Sequence, residues 1–187
     1  MWALVESNNV TKVYTKPKAI TIGDVSYPQN IFMLWSSDEL EAIGIYEVVV
    51  DNSNYKDPEY YINTNQTFAF ASGTVTASYG TATPKALDDT TNPDGTVTPG
   101  LKSNAITTQQ NQAYSILQPS DWYVVRQSEN GTAIPTDWDT WRESIRTTYQ
   151  SQVTMINACT TVPELQALYV YNDATPPVRP LPVFPPP

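Results

Sequence analysis

The feature that most constrains the fold is a broken stretch near the middle of the chain, residues 80–104, where small polar residues are interrupted by proline and glycine. Proline lacks an amide donor and glycine loses much conformational freedom on folding, so neither a helix nor a central strand suits such a stretch. Loops of this length are uncommon inside a compact domain. We therefore expect residues 86–104 to form an irregular linker or protruding loop between two differently built regions.

The region before this stretch, residues 1–85, has the pattern of a β-rich domain. Runs of β-branched and aromatic residues alternate with asparagine, serine and glycine, which favour turns. In the last run, threonine and serine alternate with Val75, Ala77 and Tyr79, which is typical of a half-exposed strand. The predicted strands lie at residues 2–6, 10–14, 19–22, 24–27, 45–50, 60–63, 67–71 and 74–79.

Residues 105–172 have the pattern of a helical module. Helices are predicted at 107–117 and 121–129, and two more begin near residues 136 and 161. The third has apolar residues at spacings of three and four, which place them on one helix face. These residues are Trp138, Trp141, Ile145, Tyr149, Val153 and Ile156.

Several helix starts are marked by residues suited to capping. Ser36 with Glu39, and Thr161 with Glu164, have the spacing of a capping box, in which two side chains and two backbone amides satisfy each other. We also expect Ser120 to cap the helix at 121–129, and Thr136 with Asp139 to open the next helix. Gly44 and Gly131 stand where helices are expected to end.

The last residues of the sequence, 175–187, contain seven of its 16 prolines. They exclude a helix or a central strand, and in the polyproline II conformation they would reach about 40 Å. We expect residues 173–187 to be an extended arm that docks along another surface. Its candidate interaction residues are Pro176, Pro177, Arg179, Pro180, Pro182 and Phe184.

Together these patterns predict an α+β protein. A β-rich N-terminal region (1–85) is followed by the linker (86–104), a small helical module (105–172) and an extended Pro-rich C-terminal arm (173–187).

Composition argues against an enzyme and against a cofactor. The chain has no histidine, which is the commonest general base and metal ligand. Acidic pairs occur at Asp88-Asp89, at Asp137 with Asp139, and at Glu39 with Glu41. Each pair lies in a predicted loop or at a helix N-terminus, where the helix dipole favours acids, so we interpret them as structural.

The charge balance also restricts the partners. With 19 acidic and 10 basic residues the chain lacks the basic cluster that nucleic acids or anionic membranes require. We expect no membrane span and no signal peptide, because no apolar run is long enough and an acid stands at Glu6. Cys159 lies in an apolar helical stretch and is interpreted as a small buried residue. The predicted location is a cytosol-like compartment or a particle assembled there.

One cluster of residues stands out as a candidate interaction site. Tyrosine and tryptophan are enriched at protein interfaces, and the sequence contains 12 Tyr and five Trp. Packing between helices accounts for most of these aromatics, but arginines that stack on tryptophan or pair with acids would extend the cluster. The candidates are Trp122, Tyr123, Arg126, Trp138, Trp141 and Arg142.

These residues belong to a run that resembles a known family. Residues 113–129, with Asp121-Trp122 at the centre, residues 133–135, and residues 141–146 are similar to small tailed-bacteriophage proteins of the tail assembly chaperone-like or tail-fibre-associated type. The resemblance covers about residues 106–170, and Trp141 replaces the tyrosine that often precedes arginine. The N-terminal segment also resembles those that accompany this module in phage structural genes. The resemblance implies a phage origin and a tail-related role, and supplies no catalytic residues.

Three functional hypotheses follow. The first is a structural component of the virion tail, made in the host cytoplasm, that is an adaptor, baseplate or tail-fibre-anchoring subunit and contacts other tail proteins and copies of itself. The second is an assembly chaperone that leaves before the particle matures. The third, which ranks behind them, is a receptor module that binds a host glycan through tryptophan and aspartate.

Overall fold

The computed structural model describes residues 1–187, and the chain divides into two compact units, Met1–Thr83 and Pro84–Pro187. Strands dominate the first unit and helices the second. The α+β class and the order of strands before helices are therefore confirmed.

The first unit is built on a five-stranded sheet. Its order is β2 (Asn9–Tyr14), β1 (Trp2–Glu6), β5 (Ile45–Asp51), β8 (Thr74–Tyr79) and β7 (Gln66–Ala71). All neighbours are antiparallel except β5 and β8, which run parallel.

Two tight turns fix the register of this sheet. Ser7 and Asn8 both have positive φ, 50° and 62°, which matches the right-handed twist of the strands they join. Ser72 and Gly73 join β7 to β8 in the same way, with φ of 50° and 79°. The alternation predicted for β8 is confirmed, because Val75 and Ala77 are completely buried.

A smaller layer packs beside this sheet. It contains the hairpin of β3 (Ile20–Ile22) and β4 (Val25–Tyr27), followed by α1 (Ile31–Leu34) and α2 (Ser37–Ala42). The predicted capping box at the start of α2 is confirmed in both directions. Gly44 follows α2 with φ of 82°, and a Cβ there would lie 3.0 Å from the backbone oxygen of Val5. The apolar residues buried together are Leu4, Tyr14, Ile20, Ile31, Phe32, Leu40 and Ile45.

The predicted linker has more regular structure than expected. Two short strands, β6 (Tyr61–Ile62) and β9 (Thr83–Pro84), form a ladder where the first unit ends. A hairpin of β10 (Thr90–Thr91) and β11 (Val97–Thr98) then follows inside residues 86–104. Its turn is held by side-chain bonds from Asn92 to Thr96 and Thr98.

The second unit contains four helices and one 3₁₀ turn. They are α3 (Leu101–Leu117), the turn Gln118–Ser120, α4 (Asp121–Asn130), α5 (Thr136–Ala158) and α6 (Val162–Ala167). α3 packs along α5, and its buried residues on that side include Gln109 and Ala113. The predicted helix begins only at residue 107, because the polar run Lys102-Ser103-Asn104 interrupts the apolar spacing in the first turns of α3.

The predicted caps have mixed outcomes. The capping box of Thr161 and Glu164 at α6 is confirmed, and Gly131 ends α4 with φ of 72°. The cap predicted at Ser120 is wrong, whereas α5 begins at Thr136 as predicted. Ser120 has helical backbone angles and its hydroxyl donates back to the oxygen of Leu117, while α5 begins after Pro135 with no side-chain cap. Cys159 is buried as predicted, and burial raises the pKa of its thiol.

The prediction of an arm that docks along another surface is not supported. Leu181 is completely buried in the second unit, and its amide donates to the oxygen of Leu168 over 3.0 Å. Gln152 and Trp141 of α5 donate to prolyl oxygens further along the segment. The segment is thus irregular but packed on the chain's own helices, because one leucine among the prolines supplies an apolar anchor.

Candidate interaction site

The most buried charged group of the second unit is the guanidinium of Arg142 on α5, which is 5% exposed. Its Nη1 donates to the backbone oxygen of Leu117 over 3.0 Å and also to the hydroxyl of Ser120. Its Nη2 donates to Oδ1 of Asp121 over 2.8 Å. Arg142 therefore joins the turn between α3 and α4 to α5, and it is a structural clamp rather than a contact residue.

This clamp joins two of the residues singled out in the sequence, the aspartate of the Asp-Trp pair (Asp121) and the arginine of the Trp-Arg pair (Arg142). The two residues lie 21 positions apart and meet as an ion pair. Because a buried guanidinium needs partners for its N–H groups, this pairing meets a packing requirement of the helical arrangement.

Next to the clamp lies a row of four aromatic rings, which we call the aromatic row: Trp122, Tyr123, Trp138 and Trp141. Trp122 and Tyr123 are stacked with their ring centroids 3.9 Å apart. Tyr123 lies 5.6 Å from Trp138, and Trp138 meets Trp141 edge-on at 5.3 Å and 89°. The first turns of α4 and α5 thus bring all four predicted aromatics together.

Arg126 supports the row from the next turn of α4. Its guanidinium carbon lies 5.1 Å from the ring centroid of Trp122 and 5.2 Å from that of Tyr123. Its Nη2 donates to the backbone oxygen of Ala133 over 3.0 Å. Because one cation contacts both rings and the loop before α5, it holds the first half of the row against its neighbour.

The row is unevenly covered. Trp122 is 52% exposed, whereas Tyr123, Trp138 and Trp141 are half-buried. The indole Nε1 of Trp141 donates to the backbone oxygen of Pro185 over 3.2 Å. One end of the row is therefore occupied by the chain's own Pro-rich segment and the other end faces solvent.

A small open pocket lies where the row meets this segment. Its volume is about 200 Å³, and it is lined by Asp137, Trp138, Trp141 and Pro187. Two indoles, a prolyl ring and a carboxylate give it apolar walls with one negative charge at the rim.

The candidate residues of the Pro-rich segment do not form one surface. Pro176 and Pro177 are exposed in a turn held by Asn172, while Pro182 and Phe184 are half-buried. The backbone oxygen of Pro182 accepts a bond of 2.7 Å from Nε2 of Gln152.

Arg179 and Pro180 line a second, more open groove of about 470 Å³. The guanidinium of Arg179 lies 5.7 Å from the ring of Tyr169 and 5.6 Å from that of Tyr171. Its Nε donates to the oxygen of Leu181, so this arginine also stabilises the segment internally.

Sequence reasoning missed Leu181 and Gln152, which hold the segment in place. The face of α5 was predicted from the spacing of its apolar residues, and Gln152 is polar. No neighbouring residue in the sequence indicates that it is buried. Leu181 offered one usable signal, since it is an isolated large apolar residue in a stretch otherwise dominated by proline.

Four carboxylates are engaged in structural hydrogen bonds, those of Glu39, Asp88, Asp89 and Glu164. Oδ1 of Asp89 accepts from the amide of Gly100 over 2.8 Å, and Asp88 pairs with Lys102 at 3.0 Å. Hydrogen bonds from Ser103 and Gly100 lower the pKa of Asp89. Glu39 and Glu164 in the capping boxes likewise have lowered pKa values, because backbone amides donate to them. A carboxyl group that acts as a general acid needs a raised pKa instead.

No group of three or more cysteine, aspartate or glutamate residues is placed to hold a metal ion. None of the helices combines the length and the apolar character that a membrane crossing requires. Comparison with models of protein families, with curated proteins and with solved structures gave no match.

Proposed function

We propose that this protein is a structural component of a tailed-phage virion, in the role of an adaptor, baseplate or tail-fibre-anchoring subunit. It works by protein–protein contact with other tail proteins and with copies of itself. The phage context comes from the resemblance of residues 106–170, and the contact role from the aromatic row described above.

The observation that carries the proposal is the exposed end of the aromatic row. Tryptophan and tyrosine dominate the energetics of protein interfaces because they bury a large area with few rotatable bonds. Trp122 leaves 52% of its surface in solvent, and Val125 on the same helix leaves 53%. Arg126 and the Arg142 clamp hold the supporting helices, so little conformational freedom is lost on binding.

The proposal is tested by the protein content of purified particles. Mass spectrometry should find the chain at a fixed ratio to other tail proteins. A Trp122→Ala variant should be incorporated less, whereas Tyr114→Ala, which removes a 66%-exposed ring of α3 outside the row, should be incorporated normally. Absence of the wild-type chain from mature particles would exclude the virion role.

A second candidate is a tail or tail-fibre assembly chaperone. It is supported by the resemblance of residues 106–170 to chaperone-like proteins, and the Asp121–Arg142 clamp lies within that run. In that case the chain should co-purify with one client protein from infected cells and be missing from the particles.

A further inference from the structure

We propose that the uncovered end of the aromatic row, Trp122, Tyr123 and Trp138, binds a proline-rich, positively charged segment of a partner protein in the polyproline II conformation. This inference rests on the proposed function, since it names the chemistry of the partner at the same site.

The first support is the way in which the chain's own Pro-rich segment is held. A polyproline II backbone makes no internal hydrogen bonds, so its carbonyl oxygens need external donors. Trp141 donates through Nε1 to Pro185, and Gln152 donates through Nε2 to Pro182. Aromatic surfaces with side-chain donors are the usual means by which proteins bind proline-rich peptides. Side-chain donors on α5, one of them in the row, thus already hold carbonyl oxygens of a proline-rich segment within the chain.

The second support is that the same type of surface continues past the covered end. The pocket between Trp138, Trp141 and Pro187 is open and has room for a further small ring. Beyond the pocket, the rings of Tyr123 and Trp122 are stacked, and about half of the Trp122 surface is exposed. A second proline-rich segment would therefore find aromatic faces in continuation of those that the first one uses.

The third support is charge. Asp137 lies at the rim of the pocket, and the chain as a whole carries a net charge of −9. The nearby cation, Arg126, is already engaged by two rings and by the oxygen of Ala133. A lysine or arginine in the bound segment is therefore attracted rather than repelled, and in polyproline-binding sites such a pairing sets the direction of the peptide.

The test is a titration of the full-length, ¹⁵N-labelled protein with a synthetic peptide of the sequence of residues 176–187. The five tryptophan indole N–H signals report separately on each ring. We expect the signals of Trp122 and Trp138 to shift, with a smaller shift of Trp141, which lines the same pocket, while that of Trp35 in the first unit stays in place. A peptide with alanine in place of every proline should bind at least about tenfold more weakly, since its polyproline II conformation is lost.

Binding of the same peptide to variants of the protein is a second test. Trp122→Ala should weaken binding about tenfold or more, as expected for a central aromatic contact, and its exposure makes a loss of folding the less expected outcome. Asp137→Asn should weaken binding several-fold and reduce its dependence on salt. Tyr114→Ala should leave binding unchanged.

Three results would overturn the inference: no shift at Trp122 and Trp138, equal binding of the alanine peptide, or a shift at Trp141 alone. A shift at Trp141 alone would mean that the peptide only replaces the chain's own Pro-rich segment. The outcome is independent of the particle test. A chain that is present in virions but binds no peptide excludes this inference alone, and a chain that binds the peptide but is missing from virions excludes the virion role alone.

Discussion

At the residue scale, the second unit depends on two side chains with very different chemistry, Arg142 and Leu181. Arg142 donates to the backbone oxygen of Leu117 at the end of α3, to the hydroxyl of Ser120 in the 3₁₀ turn and to the carboxylate of Asp121 at the start of α4. Leu181 is the completely buried residue of a segment that is otherwise mostly proline. Each joins parts of the chain that are distant in sequence.

We expect Arg142→Ala to lower the free energy of unfolding by about 3 kcal/mol. The substitution removes the donor to the buried hydroxyl oxygen of Ser120 and the ion pair with Asp121, and it leaves the oxygen of Leu117 with only its bond from Ser120. Arg146→Ala on the same helix removes an exposed ion pair with Glu143 and should cost less than about 0.5 kcal/mol. Chemical denaturation of both variants measures the difference, and equal effects would contradict the clamp.

Leu181→Ala should cost about 2–5 kcal/mol, because it creates a cavity in a completely buried position. Val183→Ala, two residues further along, removes a side chain that is 62% exposed and should change stability by no more than about 0.5 kcal/mol. Thermal unfolding followed by circular dichroism compares the two. A mild effect of Leu181→Ala would mean that the segment is not part of the core.

At the element scale, the parts with local signals could be predicted and those fixed by distant partners could not. The boxes of Ser36 with Glu39 and of Thr161 with Glu164 are contained within four residues, so the sequence alone reveals them. The start of α3 is different. Gly100 lacks a side chain to cap the helix. Instead, the carboxylate of Asp89, eleven residues earlier in the chain, accepts a hydrogen bond from the Gly100 amide.

Gly100 also shows why composition misled the prediction of a linker. A Cβ at this position would collide with the backbone of Asp88, so the glycine permits close approach of two segments rather than flexibility. The same limit applies to the site. The four aromatics of the row could be predicted because helical spacing groups them on the faces of α4 and α5. The docking of the Pro-rich segment beside them could not, because it depends on the tertiary position of Leu181.

The capping box of α6 makes a prediction about pH. Hydrogen bonds from the Thr160 amide and hydroxyl lower the pKa of Glu164 in the folded state. The ionised carboxylate therefore stabilises the folded state fully at pH values above the ordinary glutamate pKa of about 4.3. This stabilisation is lost as the pH falls through the lower pKa of the folded state. Glu164→Gln should therefore lower the thermal midpoint at pH 7 and have progressively less effect towards pH 3. Glu129→Gln serves as the control. A pH-independent effect would contradict the role of the carboxylate.

At the scale of the whole molecule, each unit has buried residues of its own. In the second unit these include Ile145, Ile156, Leu165 and Leu181, which come from α5, α6 and the Pro-rich segment. A length of about one hundred residues is sufficient for an independent core. The unit's stability is therefore a property of its own sequence.

We expect residues 84–187, produced alone, to unfold in one cooperative transition. A fragment of residues 84–174 should lose that cooperativity or melt at a much lower temperature, because it lacks Leu181 and leaves Gln152 and Trp141 without their acceptors. Circular dichroism melts of the two fragments test this. Identical melting curves would show that the Pro-rich segment lies on the surface of the unit without stabilising it.

The buried position of Leu181 has a consequence for synthesis. The ribosome produces all the helices of the second unit before this residue, and domains generally fold as units while they emerge. The surface of α5 that the segment covers stays open for that interval, with Trp141 and Gln152 exposed to other chains in the cell. A partner protein that carries a proline-rich sequence therefore has its best access to this surface on the nascent chain.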